Sequence, residues 1–317
     1  AMGRNALFAN TTASNNTAFG YDALFSNTTG CHNIAIGTQT MDANTTGVRN
    51  IAIGHAAMTD NTTANNNQAI GYLALSANTT GCQNTAIGSQ SLRDNTTGSN
   101  NMAIGISSLF ENTEGSNNIA IGCGALINNT TANNNTAVGF RAMQLNVTGT
   151  CNVAVGALAL CKNTSTANTA VGYSALCCNS SGSSNVAVGD KALMVSTTGD
   201  DNTALGRLAL CSNTTGSCNT AVGKSAMLSH TTGTRNTAVG NGALCDITTS
   251  QDNVGIGYDA ARDSTANYTV AVGSEAVFRT TGDGNTGVGY RSLFLNTSGT
   301  HNSALGYQSM CKNTTGS

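Results

Sequence analysis

The feature that most constrains this chain is a single short phrase written over and over. Glycine recurs at Gly3, Gly20, Gly37, Gly54, Gly71, Gly88, Gly105, Gly122, Gly139, Gly156, Gly172, Gly189, Gly206, Gly223, Gly240, Gly257, Gly273, Gly289 and Gly306, with fifteen intervals of 17 residues and three of 16. The unit reads N-T-A-[IV]-G-x-x-A-L-x-x-N-T-T-G-x-x, and the stretch from Asn33 to Arg49, NIAIGTQTMDANTTGVR, is a faithful copy. Helix-turn-helix repeats need about 33–34 residues, so this unit is too short for one. It suits one coil of an all-β parallel solenoid, giving about 19 coils in one continuous domain over residues 1–317.

Each coil is expected to hold two short strands. The first is T-A-V-G, as from Thr136 to Gly139; the second is centred on the A-L pair, as at Ala142-Met143 and Ala159-Leu160. N-T-T-G supplies the turn, because glycine accepts positive φ and asparagine bonds its local backbone. The three 16-residue units align when one residue is deleted between the A-L pair and the next N-T-A-V-G. The turn is therefore expected to absorb the irregularity while the strands keep register.

Columns of equivalent positions, counted from the recurrent glycine as position 0, indicate the packing. Position −1 is always bulky and apolar (Ile36, Ile53, Val155, Val188, Leu205), and position −2 is Ala in seventeen units and Gly in two, Gly255 and Gly287. Position +4 is Leu or Met except at Ala261 and Val277, and position +3 is always Ala, Ser or Thr. Adjacent strand residues face opposite ways. If the Val/Ile and Leu/Met columns fill the interior, the Ala/Gly column points outward as a flat stripe for contact between subunits or fibres. In the converse arrangement Ala and Gly line a tight interior and Val/Ile faces a partner. Either way one apolar column remains outside, which points to self-association. At ~4.8 Å per coil, nineteen stacked coils make a rod of about 90 Å. Neither end carries a polar cap, so the chain reads as a segment of a longer fibre.

The N-T-A-[IV]-G-x-x-A-L run resembles the head repeats of YadA-like trimeric autotransporter adhesins. The 17-residue version with N-T-T-G is similar to repeats of phage tail-fibre and other surface-fibre proteins. The resemblance covers essentially the whole chain, although its units are longer than the 14–15 residues usual in YadA-like heads. It implies a left-handed β-roll, commonly trimeric, with roles in fibre building and adhesion.

Composition narrows the function classes. The chain has 13 Lys+Arg against 15 Asp+Glu, a net charge of −2, 9% charged residues, 4% aromatics and neither Trp nor Pro. No basic patch exists to neutralise phosphates, which argues against nucleic acid or an anionic membrane as partner. No run approaches the roughly 18 apolar residues of a spanning helix, so no membrane insertion is expected. The start does not read as a signal peptide, and Ala1 is taken as the edge of an excised or mature segment. Low charge with few aromatics can signal disorder, but a strict period with fixed apolar columns excludes it.

Candidate sites are few. The N-x-[ST] glycosylation sequon recurs in the turn at Asn10, Asn27, Asn44, Asn61, Asn78, Asn95, Asn129, Asn146, Asn163, Asn179, Asn213, Asn296 and Asn313. Sugars there would hydrate a surface poor in charge; the competing reading is that Asn and Thr simply stack well in solenoid turns. Eleven cysteines cannot all pair within one chain. Cys161 and Cys177 fall at equal positions in successive coils, Cys211 and Cys218 flank one turn, and Cys151 competes for Cys161; in the alternative, cysteine is a small hydrophobe in these columns. His32, His55, His230 and His301 lie far apart, and no Cys/His set has zinc-ligand spacing. No Ser/His/Asp or paired-carboxylate set recurs, so no metal, cofactor or catalytic residue is expected and the chain is not read as an enzyme. Ice binding is disfavoured because the paired threonines of each turn are adjacent and diverge. The expected function is structural: a subunit of an extracellular fibre, self-assembling through stacked coils, with covalent glycans in prospect. The alternative is an adhesin or receptor-binding head. A head should concentrate aromatics in one region, whereas Tyr and Phe are thinly spread here.

Overall fold

β-branched residues on either side of an alanine favour the extended backbone, and the tripeptide before the recurrent glycine is extended from the second unit onward. The structure, a computed structural model, describes residues 1–316. It contains eighteen three-residue strands and, among the described residues, no helix. The chain divides into two compact units, Ala1–Leu158 and Ala159–Ser317. The first holds β1 (Thr17–Phe19) to β9 (Val153–Val155), with Met2 forming an isolated bridge to Phe19. The second holds β10 (Thr169–Val171) to β18 (Ser303–Leu305).

Each unit is a parallel β-solenoid. Within it every strand pairs with the next in exact repeat register, Ile34, Ala35 and Ile36 opposite Ile51, Ala52 and Ile53 in one unit, Thr203, Ala204 and Leu205 opposite Thr220, Ala221 and Val222 in the other. Register holds across the 16-residue coils too: Val254 pairs with Val270, and Val270 with Thr286. As the repeat alignment predicts, the turn takes up the missing residue.

The second expected strand does not form. The A-L segment is a succession of turns in which positions +2 and +4 have positive φ, 54° at Gln39 and 50° at Met41. Hydrogen bonding between coils continues through it: Gln39 N–H donates to Tyr21 O of the preceding coil at 2.8 Å, and Met41 N–H to Ala57 O of the following coil at 3.1 Å. A left-handed conformation costs a non-glycine residue about 1–2 kcal/mol. Two gains offset that cost, the inter-coil bonds and the complete burial of the +4 side chain (Leu24, Met41, Leu75, Leu92), worth about 1.5–3 kcal/mol for each Leu or Met.

The interior is the converse of the first packing expectation. The strand alanines Ala35, Ala52 and Ala69 are fully buried, whereas Ile36 and Ile70 beside them are 37% exposed. Space explains the choice. A Cβ on Gly255 would stand 2.9 Å from Leu244 Cγ, and one on Gly287 2.6 Å from Val277 Cγ2. Position −2 thus faces the +4 column of the coil before, and the gap between them admits at most a methyl group. A small-residue column here marks a narrow core, not an open surface.

The remaining interior is made of asparagine. In the first unit the Asn of each N-T-T-G turn forms a buried ladder: Asn44 Nδ2 donates to Asn27 Oδ1 at 2.8 Å, Asn61 to Asn44 at 2.7 Å, and Asn95 to Asn78 at 2.8 Å. Each also donates to the carbonyl three residues on, as Asn95 does to Gly98 O at 2.9 Å. A second ladder runs through the Asn at position −4. Asn50 N–H donates to Asn33 Oδ1 at 2.9 Å, and Asn33 Nδ2 to Gly47 O of the next coil at 2.8 Å. Polar groups this deep are stable only because donors and acceptors are matched coil after coil.

Candidate functional site

The ladders decide the sequon question. Asn27, Asn44, Asn61, Asn78, Asn95, Asn129, Asn146, Asn163, Asn179, Asn213 and Asn296 are completely buried. Asn10 and Asn313 are half-buried, and their Nδ2 atoms donate to Ala13 O at 3.2 Å and Gly316 O at 3.4 Å. The nitrogen a glycan would occupy is the ladder donor, and a sugar on it would displace both bonds and the coil above. For the eleven buried asparagines the reading as glycan acceptors is therefore corrected: in the folded coil they are core residues, stacked as the competing reading expects. The same holds for the turn glycines, whose expected role was to accept positive φ. Gly98 has ordinary φ; it is required because a Cβ would run into Gly115 O and Asn95 Oδ1.

Of the cysteines, Cys161, Cys211 and Cys245 are buried, Cys123, Cys151 and Cys218 are exposed, and the others are half-buried. Cys161 and Cys177 are brought together, one coil apart and hydrogen-bonded through their side chains. Cys211 and Cys218 are not: Cys211 is buried, Cys218 is exposed, and the charges acting on Cys211 are those of Lys191 and Asp190. The histidines stay separate. His32 Nε2 lies 3.2 Å from Asn15 Nδ2, His55 stacks on Tyr72 with centroids 5.7 Å apart, and His301 lies beneath Gly284. Among the described residues no group of three or more His, Cys, Asp and Glu is placed to hold a metal ion, and no helix is long and apolar enough to cross a membrane.

His230 takes an asparagine's place in the turn ladder of the second unit. It is fully buried, with Nε2 2.9 Å from Gly233 O, while its Nδ1 and the Oδ1 of Asn213 in the coil before it are unpaired. Neither ladder neighbour, Asn213 nor Ile247, titrates, and burial pushes the imidazole below its usual range, with Gly233 O opposing. The folded coil therefore favours the neutral ring and the unfolded chain binds more protons. Its stabilising share is intact above the ordinary histidine range of about 6.5 and is lost as pH falls through that range toward the depressed folded value. His230→Asn should remove this acid sensitivity and satisfy Asn213 Oδ1, raising stability at neutral pH by about 1 kcal/mol. Urea denaturation of both proteins on either side of pH 6.5 measures it; equal pH slopes would refute the assignment.

What the fold leaves outside is a two-column stripe on the sheet. Positions −3 and −1 flank each buried alanine and point to solvent, as with Ile119 and Ile121, Val153 and Val155, Thr203 and Leu205. Along all eighteen strands neither position is ever charged, although 9% of the chain is. Position −1 is aliphatic in every strand but the first, where Phe19 stands. No protein-family model and no curated protein matches the chain. The stripe thus stands on its own geometry. Position −1 presents methyl and methylene groups at the ~4.8 Å spacing of the strands, while position −3 is aliphatic in eight strands and uncharged polar, mostly Thr, in the other ten.

The alternation that exposes Val and Ile was visible in the repeat; which way it faced was not. One further signal went unread. Position +12 has positive φ in nearly every coil and is Asn at Asn15, Asn66, Asn100, Asn117 and Asn134, the side chain that best tolerates that conformation.

Proposed function

We propose that the chain is a structural element of an extracellular fibre and associates with copies of itself through the aliphatic stripe. The observation that carries this reading is the absence of charge along both outward strand columns. Solvent-facing positions free to vary collect Lys and Glu, and an uncovered apolar patch beyond a few hundred Å² marks an interaction surface. Nine coils in a unit, each with two half-exposed side chains on the stripe, exceed that size. A straight ladder of identical shapes fits best against another straight ladder with the same rise, which a second copy supplies. In this reading the chain has no catalytic role, and the resemblance to surface-fibre repeats supports its place outside the cell.

Ile53→Lys combined with Ile87→Lys tests it. Both side chains point outward, and a lysine there keeps its ammonium in water, so the coil is expected to stay folded. Sedimentation of the native protein should show concentration-dependent oligomers. The double variant should dissociate at concentrations at least about tenfold higher. A native protein that stays monomeric at about 100 μM would overturn the proposal, since that excludes even modest affinity, and would favour the binding-head reading.

A further inference from the structure

Beyond self-association, we infer that Cys161 and Cys177 are the two halves of a disulfide that staples one coil to the next. The two residues occupy position +5 of neighbouring coils in the second unit. The backbone holds them in register on both sides: Leu160 N–H donates to Ala175 O at 3.0 Å and Lys162 N–H to Cys177 O at 3.1 Å. Equivalent residues in hydrogen-bonded coils stand about 4.8 Å apart, inside the ~4.4–6.8 Å Cα range of disulfides. The two thiols already touch as hydrogen-bond partners.

No other cysteine has this arrangement. Cys211 has Met194 and Leu228 as its column neighbours, and Cys245 has Leu228 and Arg262. Cys178 follows Cys177 and contacts it, but its own column neighbours are Lys162 and Val195. A bond between Cys177 and Cys178 would have to close through the peptide joining them, and it would link no coils. The staple closes a loop over residues 162–176, on the scale where a cross-link removes appreciable freedom from the unfolded chain.

The reaction is an exchange with an oxidant of the disulfide class. One cysteine thiolate attacks a sulfur of the oxidant, whose S–S bond breaks and releases one thiol. The second cysteine thiolate then displaces the remaining half as a second thiol, forming the Cys161–Cys177 bond. Two electrons pass to the oxidant, and the two cysteine protons end on the released thiols. In the closed coil, hydrogen bonding to Cys161 and burial push the Cys177 thiol up, so little thiolate is present and exchange is slow. The bond should therefore form as the coils close, and once formed should resist reductant until they open.

The experiment follows from the position of Lys162. Reduced, unfolded protein is refolded in a mixture of oxidised and reduced glutathione, alkylated, and cut by trypsin without reduction. Cleavage after Arg141, Lys162 and Lys191 yields peptides 142–162 and 163–191. They are expected to emerge as one linked species, lighter by two hydrogens than the sum of the free peptides. The link should persist in Cys151→Ser and in Cys178→Ser and vanish in Cys161→Ser and in Cys177→Ser. The oxidised protein should melt about 5 °C above the same protein fully reduced. Fragmentation of the linked species from the native protein reads the same bond should a variant fail to fold. A link that survives Cys161→Ser, a Cys177–Cys178 bond in its place, refolded protein with all thiols alkylated, or identical melting in both redox states would each overturn the inference.

Discussion

Gly88→Ala is expected to cost at least about 4 kcal/mol and to split the unfolding of the first unit into two transitions. Gly88 has φ of +133°, and a Cβ there would stand 2.6 Å from Gly105 O and 2.7 Å from Gly105 C. The conformation alone is worth about 1–3 kcal/mol against alanine. Relieving the contact means lifting one coil from the next, which weakens bonds such as Gly105 N–H to Ile87 O, 2.8 Å in the native coil. Because stability in a solenoid is mostly a sum over neighbouring interfaces, damage at one interface uncouples the coils on either side. Urea denaturation followed by circular dichroism, with hydrogen exchange to locate the weak interface, measures both effects. Ser89→Ala, one residue on, is the control and should change stability by less than about 0.5 kcal/mol. A single transition at native stability in Gly88→Ala would show that the coils are not stacked this closely.

Asn95→Ala should destabilise the same unit by about 3 kcal/mol. The side chain donates to Asn78 Oδ1 at 2.8 Å and Gly98 O at 2.9 Å and accepts from Asn112 Nδ2 at 2.8 Å. Truncation leaves buried partners without replacements, which costs more than the bonds themselves contributed. The second unit offers the reciprocal test. Its ladder is interrupted by Ser196, His230, Ile247, Ser264 and Thr280. Unpaired buried atoms gather beside the breaks: Asn179 Oδ1, Ser196 Oγ, Asn213 Oδ1 and His230 Nδ1. Ser196→Asn restores a donor to Asn179 Oδ1 and should stabilise by about 1–2 kcal/mol. If Asn95→Ala and Ser196→Asn shift the urea midpoint in the same direction, the ladder is not what holds the turns together.

The stripe and the ladders are two outcomes of one constraint. A coil of 17 residues encloses so little space that each element contributes one small or one linear side chain to the inside. Leu or Met at +4 fills the centre, Ala at −2 and +3 closes it, and the asparagines fill the corner while neutralising their own polarity. Nothing remains inside for the Val and Ile of position −1, so they form the surface. The apolar face is thus what the packing problem leaves over rather than an addition to it.

How much of this was legible varied by element. The period fixed the coil length, and with it the parallel solenoid and the register of Ile34 on Ile51 or Thr203 on Thr220, because only in-register stacking places like on like. That Cys161 and Cys177 fall in one column was readable for the same reason. At Asn95 the repeat left a surface acceptor and a stacking turn residue both open, because the sequon and the ladder have the same letters; only the coil before it supplies the acceptor at Asn78 that makes burial favourable. The A-L segment was misread as a strand because alternation of small and large residues fits either extended backbone or alternating turns.

Sequence by itself determined what repeats and therefore what stacks: a period too short for helices, columns that stay apolar, and one apolar column more than a core can hide. Tertiary structure alone decided which side of each strand faced in. That choice depends on the distance across the coil, which Leu244 against Gly255 makes too small even for an added methyl group. A distance between segments brought together by folding is written in no single repeat.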